Sequence, residues 1–291
     1  MLLPAAAQAG IDTWTVARCV ACGTGTTHPW PTDSELEAAY GTAYRPDDGR
    51  FAGPGDRILS RTRGLLARRI DQIAPPGPVL DVGAGDGSLL RAVRATGREA
   101  VGLERGPASD SAMRDAEVDE LDEQFAAIVF WHSLEHLRDP GGALAAAAER
   151  LLPGGVLIVA VPNSSSVQAR AFGEHWLALD LPRHLTHLTA RTLTLRLQGL
   201  GLRIGRISHW RGGQSVFGWL HGFVGALPGR PNLYDALRRP AARMAAQTDA
   251  APRIYALAAA VALLPVAAAA AALETVIHRG GTVHVEARRH T

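Results

Sequence analysis

The chain contains no lysine: all 30 of its basic residues are arginine. That excludes a phosphate-cradling loop ending on lysine, a Schiff-base lysine and a lysine general base. Cysteine is nearly absent as well. Cys19 and Cys22 are the only two in 291 residues, too few for a disulfide framework, and a reducing, cytoplasmic location follows as the expectation. Neither sign of charge dominates. A net charge of +2 makes no electrostatic claim on nucleic acid, so no nucleic-acid partner is expected. Met1–Ala9 is mildly apolar, but no basic segment, apolar run and cleavage site open the chain, and no secretory leader is expected. Internal repeats of solenoid length are also missing. Nothing in these bulk properties sets an oligomeric state.

What is present describes a folded globular protein, 47% hydrophobic and 20% charged. The length allows one large domain or two small ones. Residues 1–50, rich in Gly, Thr, Pro and Tyr, read as a small N-terminal extension with one short helix at Ser34–Tyr40. Residues 51–291 read as the main domain. Asp56–Ile73 has helical spacing, with Ile58, Leu65, Leu66, Arg69 and Ile70 on the side to be buried. Strand-like runs follow at Val79–Val82, Glu99–Leu103, Ala127–Trp131 and Val156–Val161, with helices at Ser88–Thr96 and Gly142–Leu152 between them. Such alternation predicts an α/β fold, a parallel sheet covered on both faces. Thr189–Leu200 is read as helix because Thr189 can cap it and Gly199 and Gly201 can stop it; a strand at Leu202–His209 comes next.

The most informative local pattern is Leu80–Asp81–Val82–Gly83–Ala84–Gly85–Asp86–Gly87, placed after a strand and before a helix. Glycines there let the backbone turn tightly and approach a ligand, at a helix start that offers free N–H groups. Glu104 ends the next strand, near the ~20-residue offset expected of a ribose-binding acid. The spacing is G-x-G-x-G, not that of dinucleotide sites, and Asp81 beside the loop suits a cationic or amino-bearing ligand. A plain tight turn and a nicotinamide site stand as the other readings.

Four runs occur in order: L-D-V-G-A-G-D-G-S-L-L, V-G-L-E-R, W-H-S-L-E-H-L-R-D-P and L-L-P-G-G-V-L-I-V-A-V-P-N. They resemble the ordered motifs of class I S-adenosylmethionine-dependent methyltransferases. The branch with an N-terminal CxxC segment, similar in its core to quinone-pathway O-methyltransferases, is the nearest resemblance, and Trp176–Leu185 is similar to that branch too. The resemblance covers roughly residues 15 to 289. It implies a Rossmann-like, mostly parallel sheet with an antiparallel C-terminal edge strand and a helical cap from about 164–190 and 212–278. It implies S-adenosyl-L-methionine as cofactor. By the same resemblance Asp81, Gly83 and Gly85 line the cofactor's amino-acid end and Glu104 holds the ribose hydroxyls. Asp86 and Arg105 join the cofactor-binding set, Asp119 (with Glu120 as alternative) meets the adenine, and Trp131 and His132 face the sulfonium. One departure from the family is that Phe125 is followed by Ala126 where an Asp is usual.

Methyl transfer from a sulfonium mostly requires that donor and acceptor be held in near-attack geometry; a hydroxyl acceptor also requires a base. His132 is the candidate catalytic residue. His132-x-x-Glu135-His136 matches an inverted zinc-protease signature as a bare pattern, but it starts at a strand end and stops at Pro140 instead of lying on a helix. The resemblance leaves a divalent metal at His132, Glu135 and His136 open, beside a reading in which Glu135 and His136 cap the next helix; no metal site is assigned. His184 and His187, expected in a surface loop, are candidate acceptor contacts. The expected acceptor is a small molecule, or a lipid-linked or glycan precursor, methylated on oxygen. A cofactor-binding module without turnover, and an NAD-dependent oxidoreductase, are the competing functions.

Two features fall outside that scheme. Cys19-x-x-Cys22 has the form of half a zinc knuckle; His28 offers a third ligand, and a fourth is missing, so a degenerate turn is expected. Ile254–Leu273 has the length of a bilayer span. Its alanine content, Pro265 and the return of Thr282–Arg288 to the sheet argue instead for a buried or membrane-grazing helix, joined with Gly218–Leu227 in the cap. Peripheral contact with a membrane is therefore an open expectation.

Overall fold

The computed structural model describes residues 3–4, 14–40, 55–105, 110–238 and 250–290. The boundary expected near residue 50 lies outside the described residues. In chain order the first elements are β1 (Leu3–Pro4), β2 (Thr15–Arg18), β3 (Gly25–His28), α1 (Asp33–Ala39), α2 (Gly55–Ile73), β4 (Val79–Val82) and α3 (Ser88–Arg94). Then come β5 (Ala100–Leu103), β6 (Met113–Arg114), β7 (Phe125–Trp131), α4 (Pro140–Glu149), β8 (Leu151–Pro162) and α5 (Val167–Phe172). The chain ends with β9 (Thr186–His187), α6 (Ala190–Gly199), β10 (Arg203–Ser208), α7 (Gly213–Gly225), α8 (Leu233–Leu237), α9 (Ala250–Val276) and β11 (Thr282–Arg288). They form two compact units, one of Ile58–Val161, Ala190–Ser208 and Val283–Thr291, the other of Met1–Arg57, Pro162–Thr189 and His209–Thr282.

The first unit is built on a seven-stranded sheet of order β10-β11-β8-β7-β4-β5-β6. The β8-β7-β4-β5-β6 pairings are parallel, and β10 pairs antiparallel with β11. All of β4 and six of the seven residues of β7 are buried, as continuous apolar runs are when helices cover both faces. On one side, Leu66, Ala67 and Ile70 of α2 and Leu89, Leu90 and Val93 of α3 pack on Val79, Val129 and Ile158. Of the side expected to be buried on α2, Leu65 faces solvent, because Ala67 completes the stripe; the Ile58 side chain lies outside the described residues. Arg69 is half-buried and grips Glu286 of β11 through two hydrogen bonds of 3.0 and 2.7 Å.

The expected antiparallel edge is present as a pair of strands. β11 sits between β8 and β10, with Val283, Val285 and Ala287 fully buried, and the exposed β10 is outermost. Arg203 and Arg206 on β10 give that edge the charge that discourages further pairing. The helix expected at Gly142–Leu152 instead begins at Pro140 and ends at Glu149. Asp139 caps it by accepting from the Gly142 N–H at 2.8 Å, with Pro140 at the first helical position. Leu151 already belongs to β8, where it is fully buried opposite Phe125.

The second unit has a small antiparallel sheet of order β1-β2-β3-β9 and a set of helices. Its packing depends on small residues. A Cβ on Gly222 of α7 would lie 2.2 Å from the Phe172 ring, and one on Gly218 would lie 2.3 Å from Gln168. α9 continues through Pro265 for 27 residues. Ala256 and Ala260 pack with Val224, Leu233 and Ala236, while Ala267 and Ala271 pack against Trp219. Only that alanine stripe and Glu274 are fully buried; Leu257 and Leu263 are partly buried against the first cluster, and Ile254, Val261, Leu264, Val266, Leu273 and Val276 are exposed.

Candidate active site

Within the α/β unit the glycine turn follows β4, and its conformation shows why each glycine is needed. Gly83, Gly85 and Gly87 have φ of +79°, +59° and +68°, the left-handed region that side chains disfavour. The Gly83 and Ala84 N–H groups both donate to the Leu103 carbonyl, at 2.8 and 3.0 Å, which ties the turn to the end of β5. A Cβ at Gly83 would lie 2.4 Å from the Ser133 Cβ. At Gly85, by contrast, a Cβ would meet nothing within 4 Å. The turn is therefore packed on one side and open on the other.

The acids expected around this turn lie beside it. Glu104 accepts from the Gly85 N–H at 2.7 Å, so the end of β5 and the turn are joined by a charge-assisted bond. Asp81 is buried in the middle of β4. Burial pushes its carboxyl up to about 7 against the pull of the Arg63 charge, and the charges of Glu104 and Asp86 add to the rise. A cation or hydrogen-bond donors placed against it would offset the cost of ionising an acid held that way. Asp86 is exposed and caps the start of α3 through the Ser88 N–H at 3.0 Å. Arg105 is exposed and pairs with Glu117 at 2.6 Å. Asp119 lies in a short 3-10 turn, Val118–Glu120, whose Val118 and Asp119 carbonyls accept from Arg150 at 3.1 and 2.8 Å.

At the end of β7 the chain turns sharply. His132 has φ +58°, unusual for a residue with a side chain, and its N–H donates to the Ala160 carbonyl at 2.8 Å. The next residue, Ser133, donates its hydroxyl to the Val82 carbonyl, so the His132 turn and the glycine turn are packed on each other. Nδ1 of His132 lies 3.4 Å from Oε1 of the buried Glu135. Trp131 contacts His132 and His284 edge-on, with ring centroids at 6.5 and 5.5 Å, and the Arg63 guanidinium sits 5.6 Å from the Trp131 ring centre. Asp81, Gly83, Gly85, Asp86, Glu104, Trp131 and His132 are thus brought to one end of the sheet. Asp139, not Glu135 or His136, caps α4; those two lie in a separate 3-10 turn, Leu134–His136.

His184 and His187 belong to the other unit, and neither is in a surface loop. His187 is in β9, paired opposite Gly25. Both are buried, which pushes each imidazole down to about 4 and keeps it neutral at physiological pH. Thr27 Oγ1 lies 3.1 Å from His187 Nε2 and donates to the His184 carbonyl, and His184 Nδ1 lies 3.0 Å from the Ala178 carbonyl. Cys19 and Cys22 are exposed in the turn between β2 and β3. His28 pairs opposite Thr15 at the far end of that hairpin, about 10 Å away by strand rise. It is too distant to share a metal with the two thiols, whose sulfurs sit about 2.3 Å from zinc in such sites.

Sequence reasoning missed Arg63, Ser133 and His284. Arg63 is one arginine among many on α2, and the other two reach the turn and Trp131 through sheet pairing that no local pattern announces.

Residues 58–206 match the model of the methyltransferase domain family, and the chain belongs to that family. It is an S-adenosylmethionine-dependent methyltransferase. The solved structure of the 4+2 cyclase SpnF shares the fold, with a TM-score of 0.55 and 19% identity over 90% of this chain and 97% of that one. A SAM-dependent methyltransferase from Archaeoglobus fulgidus is 14% identical over 78% of this chain and 94% of its own, with a TM-score of 0.47. No curated protein matches the chain significantly.

The residues present fit the cofactor. A turn open on the Gly85 side and a buried acid whose ionisation a cation would favour suit the amino-acid end of S-adenosyl-L-methionine, which carries an ammonium.

Proposed function

We propose that the protein methylates an oxygen of a small-molecule, lipid-linked or glycan acceptor, with His132 as general base. The observation that carries this reading is the His132–Glu135 pair, held in a left-handed turn that packs on the glycine loop. With Nδ1 facing the Glu135 carboxylate, Nε2 is the atom that takes the hydroxyl proton, and the carboxylate steadies the imidazolium that results.

Bound S-adenosylmethionine supplies an electrophilic methyl group that needs no further activation, so the chain's task is to bind, orient and accept a proton. Asp81 would face the ammonium, with Asp86 beside it at the turn. Gly83 and Gly85 would let the backbone approach the amino-acid end, and Glu104 would take the ribose hydroxyls. Asp119 and Arg105 would stand at the adenine end, and Trp131 would wall the reacting methyl. We assign His184 and His187 to joining β9 to β3, because both are buried, neutral and bonded within their own unit.

The test is release of S-adenosylhomocysteine with phenolic and sugar hydroxyl acceptors, alongside calorimetric binding of S-adenosylmethionine. His132→Ala is expected to lower kcat by about 10²–10⁴-fold and leave cofactor affinity unchanged. A fully active His132→Ala would overturn the base assignment. Activity that vanishes with chelator and returns with Mg²⁺ would replace the base by a metal held by His132, Glu135 and His136.

A further inference from the structure

We infer that α9 is a membrane-contacting element: its outer face lies in the plane of an anionic phospholipid surface. α9 is about 40 Å long at the helical rise per residue and is long and apolar enough to cross a membrane, yet only 22% of its most apolar stretch is buried. Ile254, Val261, Leu273 and Val276 are 65%, 76%, 62% and 74% exposed, and Tyr255, Leu264, Val266 and Ile277 are exposed with them. From Ile254 to Leu273 the helix carries no charged residue, and its one acid, Glu274, is buried and accepts from Gln168 at 2.8 Å. So large a continuous apolar surface on a soluble body marks a contact site.

The shape of the face decides between occupants. At 100° per residue the buried positions, Ala256, Ala260, Ala267, Ala271 and Glu274, fall on one side. The exposed apolar ones spread over roughly two-thirds of the circumference. A partner helix covers a narrow stripe, as in a coiled-coil seam, and would leave most of this arc in water. A lipid surface, being fluid, covers a broad arc.

Charge points the same way. Arg253, partly exposed, lies in the first turn of the helix, and the exposed Arg279 follows its other end. Arginines at both ends of an apolar helix, with Tyr255 beside them, suit anionic headgroups and the interface beneath them. The buried stripe runs along the helix on α7, α8 and Trp219. A helix fixed side-on along that stripe rests on a membrane instead of crossing it.

The experiment is flotation of the purified chain, without detergent, with vesicles of phosphatidylcholine plus phosphatidylglycerol, and with phosphatidylcholine alone. The wild type is expected to float with the anionic vesicles and to be released as salt rises. A triple variant, Val261→Gln, Val266→Gln and Leu273→Gln, is expected to bind about tenfold or more weakly at an unchanged Tm. Should the triple variant melt lower, Val261→Gln alone, at the most exposed position, serves in its place and is expected to lower binding in the same direction. Three results would overturn the inference. The wild type could stay unbound at every lipid concentration. It could sediment as a dimer that the variant makes monomeric, assigning the face to a second copy. Or it could require detergent for extraction, which would make α9 a span.

Discussion

Two glycines in the same turn, with one residue between them, do different jobs. Gly83 faces Ser133, where a Cβ would lie 2.4 Å from another Cβ, whereas Gly85 faces open space. Gly83→Ala is therefore expected to lower Tm, by strain at φ +79° and by collision. Gly85→Val carries the strain of φ +59° without a collision and should weaken S-adenosylmethionine binding by about tenfold or more, because its side chain enters the ligand's approach. Calorimetry and thermal melts on the two variants separate the roles; a Gly85→Val protein of normal affinity would place the cofactor elsewhere. Asp81 adds a pH dependence. Its carboxyl is raised to about 7 without a ligand, and a bound ammonium favours the ionised form, so the pKa falls on binding. Affinity is then steady well above pH 7 and drops as pH falls below it, by up to about tenfold per unit. Titration by calorimetry between pH 8 and pH 5.5, with Asp81→Asn expected to flatten the profile, checks the sign.

Between elements, one ion pair fastens the last strand to a helix more than two hundred residues earlier. Arg69 on α2 donates twice to Glu286 on β11. Burial pushes the Glu286 carboxyl up, but the Arg69 bonds and charge outweigh it and hold the group below its usual range. For a depressed acid the stabilisation is present above the unfolded-state pKa and is lost as pH falls through the folded one. Glu286→Gln is expected to cost about 1–3 kcal/mol at neutral pH, since Arg69 is partly exposed and water compensates in part. The loss should shrink in acid, where the wild type gives up the same interaction. Urea denaturation at pH 7 and pH 4 measures both, and an equal loss at the two values would remove the pair from the account. Sequence reading placed Arg69 on the buried side of α2, but it had no means to supply Glu286 as partner. It also ran α4 past its end, because Leu151 and Leu152 resume the helical apolar spacing of Leu144 and Ala148 after Glu149 and Arg150.

For the whole chain, the parallel core was legible early. β4, β5, β7 and α3 appear at nearly their expected bounds, as do α6 and β10. Each is a run whose local period and flanking Gly or Pro report its type. The glycine turn, Asp81, Glu104, Trp131 and His132 were legible too, since a βα unit fixes where its turn and the next strand end must lie. Sequence alone thus determined the α/β class, the glycine turn with the acids beside it, and an apolar helix of bilayer length. Tertiary structure decided the rest. It set β11 inside the antiparallel edge, paired Cys19–Cys22's hairpin with β9, buried His184 and His187, and brought Arg63 and His284 to Trp131. It also turned one stripe of α9's alanines inward and left Ile254, Val261, Val266, Leu273 and Val276 exposed. The physical reason is common to all of these. Short-range periodicity records which face of an element avoids water, whereas strand partners, ion-pair partners and the covering of a helix face depend on contacts between residues far apart in the chain. Those contacts are chosen only when competing burials are settled together in the folded state.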